Sequence, residues 1–208
     1  MRKKFLLLAI FVFLISCDRE ATSKHLTASG RNVVESYKML NSEKNVIKRI
    51  GENPDQIALF KLNFGNVSQL KEIKVKVKVY EDGKLIQTIS DSGMYISKND
   101  IGKQFYLSFK RKLQLETERT YEWNTTISQS ANNSSTIQTL YKQPQMTNIS
   151  TIGTIFKKQE IKKDKEIILG AFVDAVDRME TVEVFPDIQD NERLFKNKYV
   201  YLLCLVVK

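Results

Sequence analysis

The chain has 208 residues, 42% of them hydrophobic, which is enough apolar material for one domain with a sizeable core and too much for a disordered polymer. Its 33 basic and 24 acidic residues give a formal charge of +9, but the basic residues are spread along the chain rather than gathered into one tract, which argues against nucleic acid as a partner. One histidine leaves His-based triads and zinc sites without raw material.

In chain order, the first element is a short targeting segment. Arg2, Lys3 and Lys4 form a positive head, and residues 5–15 follow as an unbroken apolar run stopped by Asp18, Arg19 and Glu20. A span needs about 20 apolar residues to cross a bilayer, so this run is too short for one and has the length of a signal-peptide core. It ends in Leu14-Ile15-Ser16-Cys17. That tetrapeptide, after a basic head and a short apolar run, resembles the lipobox of bacterial lipoproteins. The resemblance covers residues 1–17 only. It implies cleavage of residues 1–16, thioether lipidation of Cys17, acylation of the new amino terminus, and a place on the outer side of a cell membrane or in an outer membrane. Two or more acyl chains make such attachment effectively permanent. Loss of Arg2, Lys3 and Lys4 takes the formal charge from +9 to +6. With Cys17 assigned to lipid, only Cys204 remains, and no disulfide framework can form. Cys204 lies in an apolar run, where a thiol acts as a small hydrophobe.

Residues 17–32, the lipidated cysteine with the polar stretch behind it, read as a flexible tether; it contains His25, placed there as a solvated bystander. Residues 33–208 read as a single β-rich domain. Its first part, 33–50, suits either a helix face (Val33, Val34, Tyr37, Leu40) or a short strand (Val46, Lys48, Ile50), and the two stay open. Asn53 and Pro54 mark a turn. In 56–64, Ala58, Phe60, Leu62 and Phe64 alternate against a mixed face.

The clearest period of two lies at 73–80, where Ile73, Val75, Val77 and Val79 alternate with Lys74, Lys76 and Lys78. Asp82-Gly83 predicts a two-residue hairpin turn of type I′. The return strand, 85–89, is then expected to set Val79 opposite Ile86 and Val77 opposite Thr88. Further strands are predicted at 104–110, 120–128 around Trp123, 136–141, 151–156, 166–174, 181–185 and 199–207, with a polar loop at 128–135 and a hinge between sheets at 143–148. About nine strands with no long helical pattern between them predict an antiparallel β-sandwich-like or barrel-like domain. The last strand is apolar on both faces and is expected at the centre, covered on both sides.

No P-loop, Rossmann glycine pattern or G-x-S-x-G elbow occurs. Asp187, Asp190 and Glu192 offer oxygen atoms but lack the glycine and spacing of an EF-hand loop, so no metal and no cofactor is expected. The whole chain reads as a lipid-anchored bacterial cell-envelope protein, a non-enzymatic binding or assembly module held to the membrane by its lipid. The competing readings are an immunity or inhibitor lipoprotein that intercepts a toxin or hydrolase, and a carboxylate-based envelope hydrolase. Its expected partners are the membrane, another envelope protein or a polysaccharide. Lys74, Lys76 and Lys78 share one face of one strand. They are expected either to contact an anionic envelope surface or to pair with acids across the strands of a solvated face.

Overall fold

Alternation in the sequence becomes two antiparallel sheets. The computed structural model describes residues 30–66, 70–100, 103–115, 119–130, 133–144 and 147–208. The strands are β1 (Val33–Ser36), β2 (Ile57–Asn63), β3 (Glu72–Glu81), β4 (Lys84–Tyr95), β5 (Gln104–Leu115), β6 (Thr120–Ser130), β7 (Asn133–Lys142), β8 (Ile149–Thr154), β9 (Gln159–Glu160), β10 (Glu166–Ala175) and β11 (Tyr199–Val207). One sheet runs β7-β6-β5-β2-β1-β9 and the other β4-β3-β11-β10-β8. They pack face to face as one β-sandwich domain around Phe60, Phe109, Val77, Trp123, Phe172 and Leu203, all buried. The 143–148 connection carries the chain from β7 in the first sheet to β8 in the second.

The open segment 33–50 contains both structures, but in the reverse places: Val33 and Val34, which suited a helix face, lie in a strand, and Val46 and Lys48, which suited a strand, lie in a helix. Val33–Ser36 pairs with β2 on one side and β9 on the other, and Asn41–Arg49 forms helix α1. Glu43 in the first turn accepts from the Leu40 amide at 2.6 Å and from the Tyr37 hydroxyl at 2.7 Å, while Lys48 and Arg49 occupy the last turn, both favourable to the helix dipole. Gly51, with φ +81°, ends it: the Gly51 amide donates to Lys48 O and the Glu52 amide to Ile47 O, a Schellman closure.

The β3–β4 turn is the expected two-residue type, with positive φ at Asp82 and Gly83, but the register beyond it differs from the expectation. Bulges between Val79 and Tyr80 and between Val77 and Lys78 set Val79 opposite Gln87 and Val77 opposite Ser90. Each bulge adds one residue on β4, so the strand continues to Tyr95 with Ser90, Ser92 and Met94 turned inward. The expected polar loop at 128–135 is shorter than read, since β6 extends to Ser130 and β7 begins at Asn133.

Residues 181–185 are not a strand. They belong to the 176–198 connection, which folds over the outer face of the five-stranded sheet. Two buried asparagines satisfy its backbone in place of a neighbouring strand. Asn197 Oδ1 accepts from the Glu180 amide at 2.9 Å and its Nδ2 donates to Thr181 O at 3.0 Å. Asn191 Oδ1 accepts from the Phe185 amide and its Nδ2 donates to Phe185 O, both at 3.0 Å. The connection buries Val184 and Leu194 and lays Phe195 against Tyr80, ring centroids 4.6 Å apart. The central strand β11 is therefore covered on both faces, as its sequence pattern requires, and Val200 to Leu205 are buried without interruption.

The long sides of the sandwich are linked by hydroxyl pairs. Ser90 of β4 donates to Thr125 of β6 at 3.0 Å, and the hydroxyls of Ser36 and Thr154 lie 3.1 Å apart between β1 and β8. Register gathers the start of β1, the end of β2 and the start of β5 at one end of the sandwich, with the start of β3, the start of β10 and the end of β11 beside them. The chain arrives there at Gly30.

Candidate interaction surfaces

Lys74, Lys76 and Lys78 stand on the outer face of the five-stranded sheet, opposite Val206, Cys204 and Leu202 of β11. Each has an acid within reach: Lys74 to Glu72 at 3.8 Å, Lys76 to Asp91 at 3.8 Å and Lys78 to Glu166 at 2.5 Å. Their side chains are only 28%, 30% and 20% exposed, so the alkyl stems lie along the sheet. Burial works against the charge on Lys78, but the hydrogen bond to Glu166 and the field of Cys204, Glu166 and Tyr80 together outweigh it and raise the ammonium pKa. The ladder is thus largely neutralised by its own neighbours. Cys204 lies beneath it, fully buried, and burial pushes its thiol pKa up, the opposite of what a nucleophile needs. Asp187 faces Lys165 at 2.8 Å. Cys17, residues 1–16 and His25 lie outside the described residues.

A second arrangement was not read from the sequence. Arg111 of β5 reaches into the core and makes a bidentate pair with Asp174 of β10, 2.7 Å from Nη1 to Oδ2 and 2.8 Å from Nη2 to Oδ1. Nη2 also donates to Ser150 Oγ. Both charged side chains are buried. Tyr121, Trp123, Phe172 and Tyr201 enclose the guanidinium, its carbon 4.8–5.7 Å from their ring centroids. Burial disfavours the charge on Arg111, but the field and hydrogen bonds of Asp174 overcome it and raise its pKa. Tyr201 in turn donates to Gln143 Oε1 at 2.8 Å. This pair joins the two sheets in the interior.

Among the described residues Asp100 is the acid most strongly perturbed toward the charged form. Burial pushes its pKa up, yet hydrogen bonds from Gln129, from the amide and hydroxyl of Ser97 and from Lys103 prevail and hold the carboxyl at about 2. That is the reverse of a proton donor poised near neutral pH.

At the end where the chain arrives, a cleft of about 310 Å³ is lined by Arg31, Asn32, Asn66, Glu160 and Lys163, among others. A smaller one, about 190 Å³, adjoins it between Glu160, Lys162, Lys165 and Asp187. The 157–165 segment brings five lysines to this region. The density of lysine there was visible in the sequence; its position beside Arg31 was not, because residues 31 and 163 meet only once the sheets form. Among the described residues no helix is long and apolar enough to cross a membrane, which leaves strands out of account.

Fold and surfaces together define a two-sheet antiparallel β-sandwich whose charged core pair is sealed and which gathers exposed lysines at one end. A family model described as the YgaN domain matches residues 33–206, nearly the whole described sandwich, and the chain belongs to that family. No curated protein and no solved structure matches it.

Proposed function

We propose that this YgaN-domain protein is a bacterial lipoprotein of the cell envelope, in which residues 1–16 are removed, Cys17 carries the lipid and the sandwich acts as a non-enzymatic binding or assembly module. The carrying observation is the Arg2-Lys3-Lys4 head, the apolar run and Leu14-Ile15-Ser16-Cys17. The family match, which begins at residue 33 where the polar tether ends, supports a separate role for what precedes it. The engagement of the acids supports binding over catalysis: Asp174 is clamped by Arg111, and Asp100 is held at about 2.

The test is the mature terminus in a bacterial host. Intact mass and peptide mapping should find an acylated Cys17 as the first residue, in the membrane fraction. Cys17→Ala should leave an unprocessed, unacylated precursor. A mature terminus elsewhere, or a Cys17 without acyl mass, overturns the proposal.

A further inference from the structure

The lipid-anchor reading leaves open which face of the domain meets the membrane, and the structure supplies a candidate at one end. Residues 161–164 run across that end, tying the two sheets together: the Ile161 amide donates to Asn32 O, and the Asp164 amide donates to Val207 O. Lys162 and Lys163 are exposed on this segment and Lys157 and Lys158 just before it, and Arg31 lines the same cleft as Lys163. Among the described residues none of these five cations has a carboxylate within ion-pair distance, in contrast to Lys74, Lys76 and Lys78. The acids in the segment are Glu160 and Asp164, and Asp187 is taken up by Lys165. Phe156, at the bend between β8 and β9, is 79% exposed beside Lys157. An exposed aromatic flanked by unpaired lysines is the composition that settles on a bilayer interface.

Chain geometry points the same way. Thirteen residues, 17–29, reach at most about 45 Å, and the described chain begins at Gly30, which lines the same cleft as Lys163. The attached end is held nearest the bilayer, while the paired lysine ladder lies along a face of the sandwich, running away from that end.

We infer that the Gly30 end, through Arg31, Lys157, Lys158, Lys162, Lys163 and Phe156, is a docking surface for anionic bilayer headgroups, an inference that rests on the lipid-anchor reading. Phe156 sits among the headgroups and the cations track their phosphates, so the tethered domain stands upright and presents its opposite end outward.

The test attaches the chain from Cys17 onward, which keeps every described residue, to vesicles through a maleimide lipid at Cys17; Cys204 is buried and does not compete. This attachment does not depend on biological acylation, so failure of the docking surface and failure of the lipoprotein reading give separate results. Lysine acetylation rates are read by mass spectrometry on phosphatidylglycerol-containing and on phosphatidylcholine vesicles. Lys157, Lys158, Lys162 and Lys163 should be protected about fivefold or more on the anionic vesicles, and high salt should abolish the protection. Lys74, Lys76 and Lys78 should react equally on both. A variant with Lys162 and Lys163 replaced by Glu should lose the protection at Lys157 and Lys158, and the triple Lys74, Lys76, Lys78→Glu variant should keep it. Equal reactivity on both vesicles, protection centred on Lys74 to Lys78, or the same protection from inorganic phosphate without vesicles would each overturn the inference.

Discussion

Arg111 and Asp174 place two full charges in the interior, where each alone is costly. The bidentate geometry and the surrounding rings make the pair tolerable, and the consequence is asymmetric. Asp174→Asn, which leaves the guanidinium without its counter-charge, should cost about 3 to 5 kcal/mol of folding stability. Arg111→Met with Asp174→Leu removes both charges and should cost far less than the sum of the two single changes. A double-mutant cycle in urea measures this coupling; additive losses would show that the charges do not depend on each other. The pair went unread because Lys110-Arg111-Lys112 looks like a solvated basic run. Parity held the signal: Phe105, Leu107 and Phe109 point inward, and position 111 continues their face.

At the scale of elements, the 176–198 connection depends on a glycine beneath it. A Cβ on Gly153 would lie 2.0 Å from Val182 O and 3.0 Å from Val184 Cγ2, too close for either to stay in place. Gly153→Ala should lift the connection at a cost of about 1 to 3 kcal/mol, as overpacking does. Hydrogen exchange locates the damage: the amides of Glu180 and Phe185, held by Asn197 and Asn191, should exchange faster. Unchanged exchange at both would mean that the connection is not held down on β8. Strands with a clean period of two, such as β2 and β3, and the unbroken apolar run of β11 were legible in the sequence, because burial on one face or on both writes itself into residue type. What escaped were places where side chains stand in for backbone. Val182 and Val184 give 181–185 a strand's alternation, yet its hydrogen bonds go to asparagine amides drawn from up to 16 residues away. The bulges in β4 escaped for a related reason: a two-residue turn fixes the register only up to the first added residue.

For the molecule as a whole, stability rests on β11. Leu203 is fully buried between Val77 and Gly170, and Leu203→Ala should cost about 2 to 5 kcal/mol out of a total of about 5 to 15 kcal/mol. Denaturant unfolding measures it, and a loss below about 1 kcal/mol would contradict a central position. The resemblance of Leu14-Ile15-Ser16-Cys17 to a lipobox is visible without any structure because it is a contiguous chemical signal. The cationic end was not, since Arg31 and Lys163 are brought together only by the pairing of β1 with β9.

The place of β11 also sets the order in which the chain is able to fold during its manufacture. Residue 203 pairs with residue 77, and until residues 199–207 exist the β3–β4 hairpin and the β8–β10 pair have no strand to join them. For the five-stranded sheet a nascent chain therefore holds two separate fragments with bare edges, whereas every strand of the six-stranded sheet is made by residue 160. Closing contacts so distant in sequence is slow, and such a chain stays pliable while it is being made. On the proposed lipoprotein reading, in which the chain is threaded through a translocation pore, this delay favours passage before the five-stranded sheet closes.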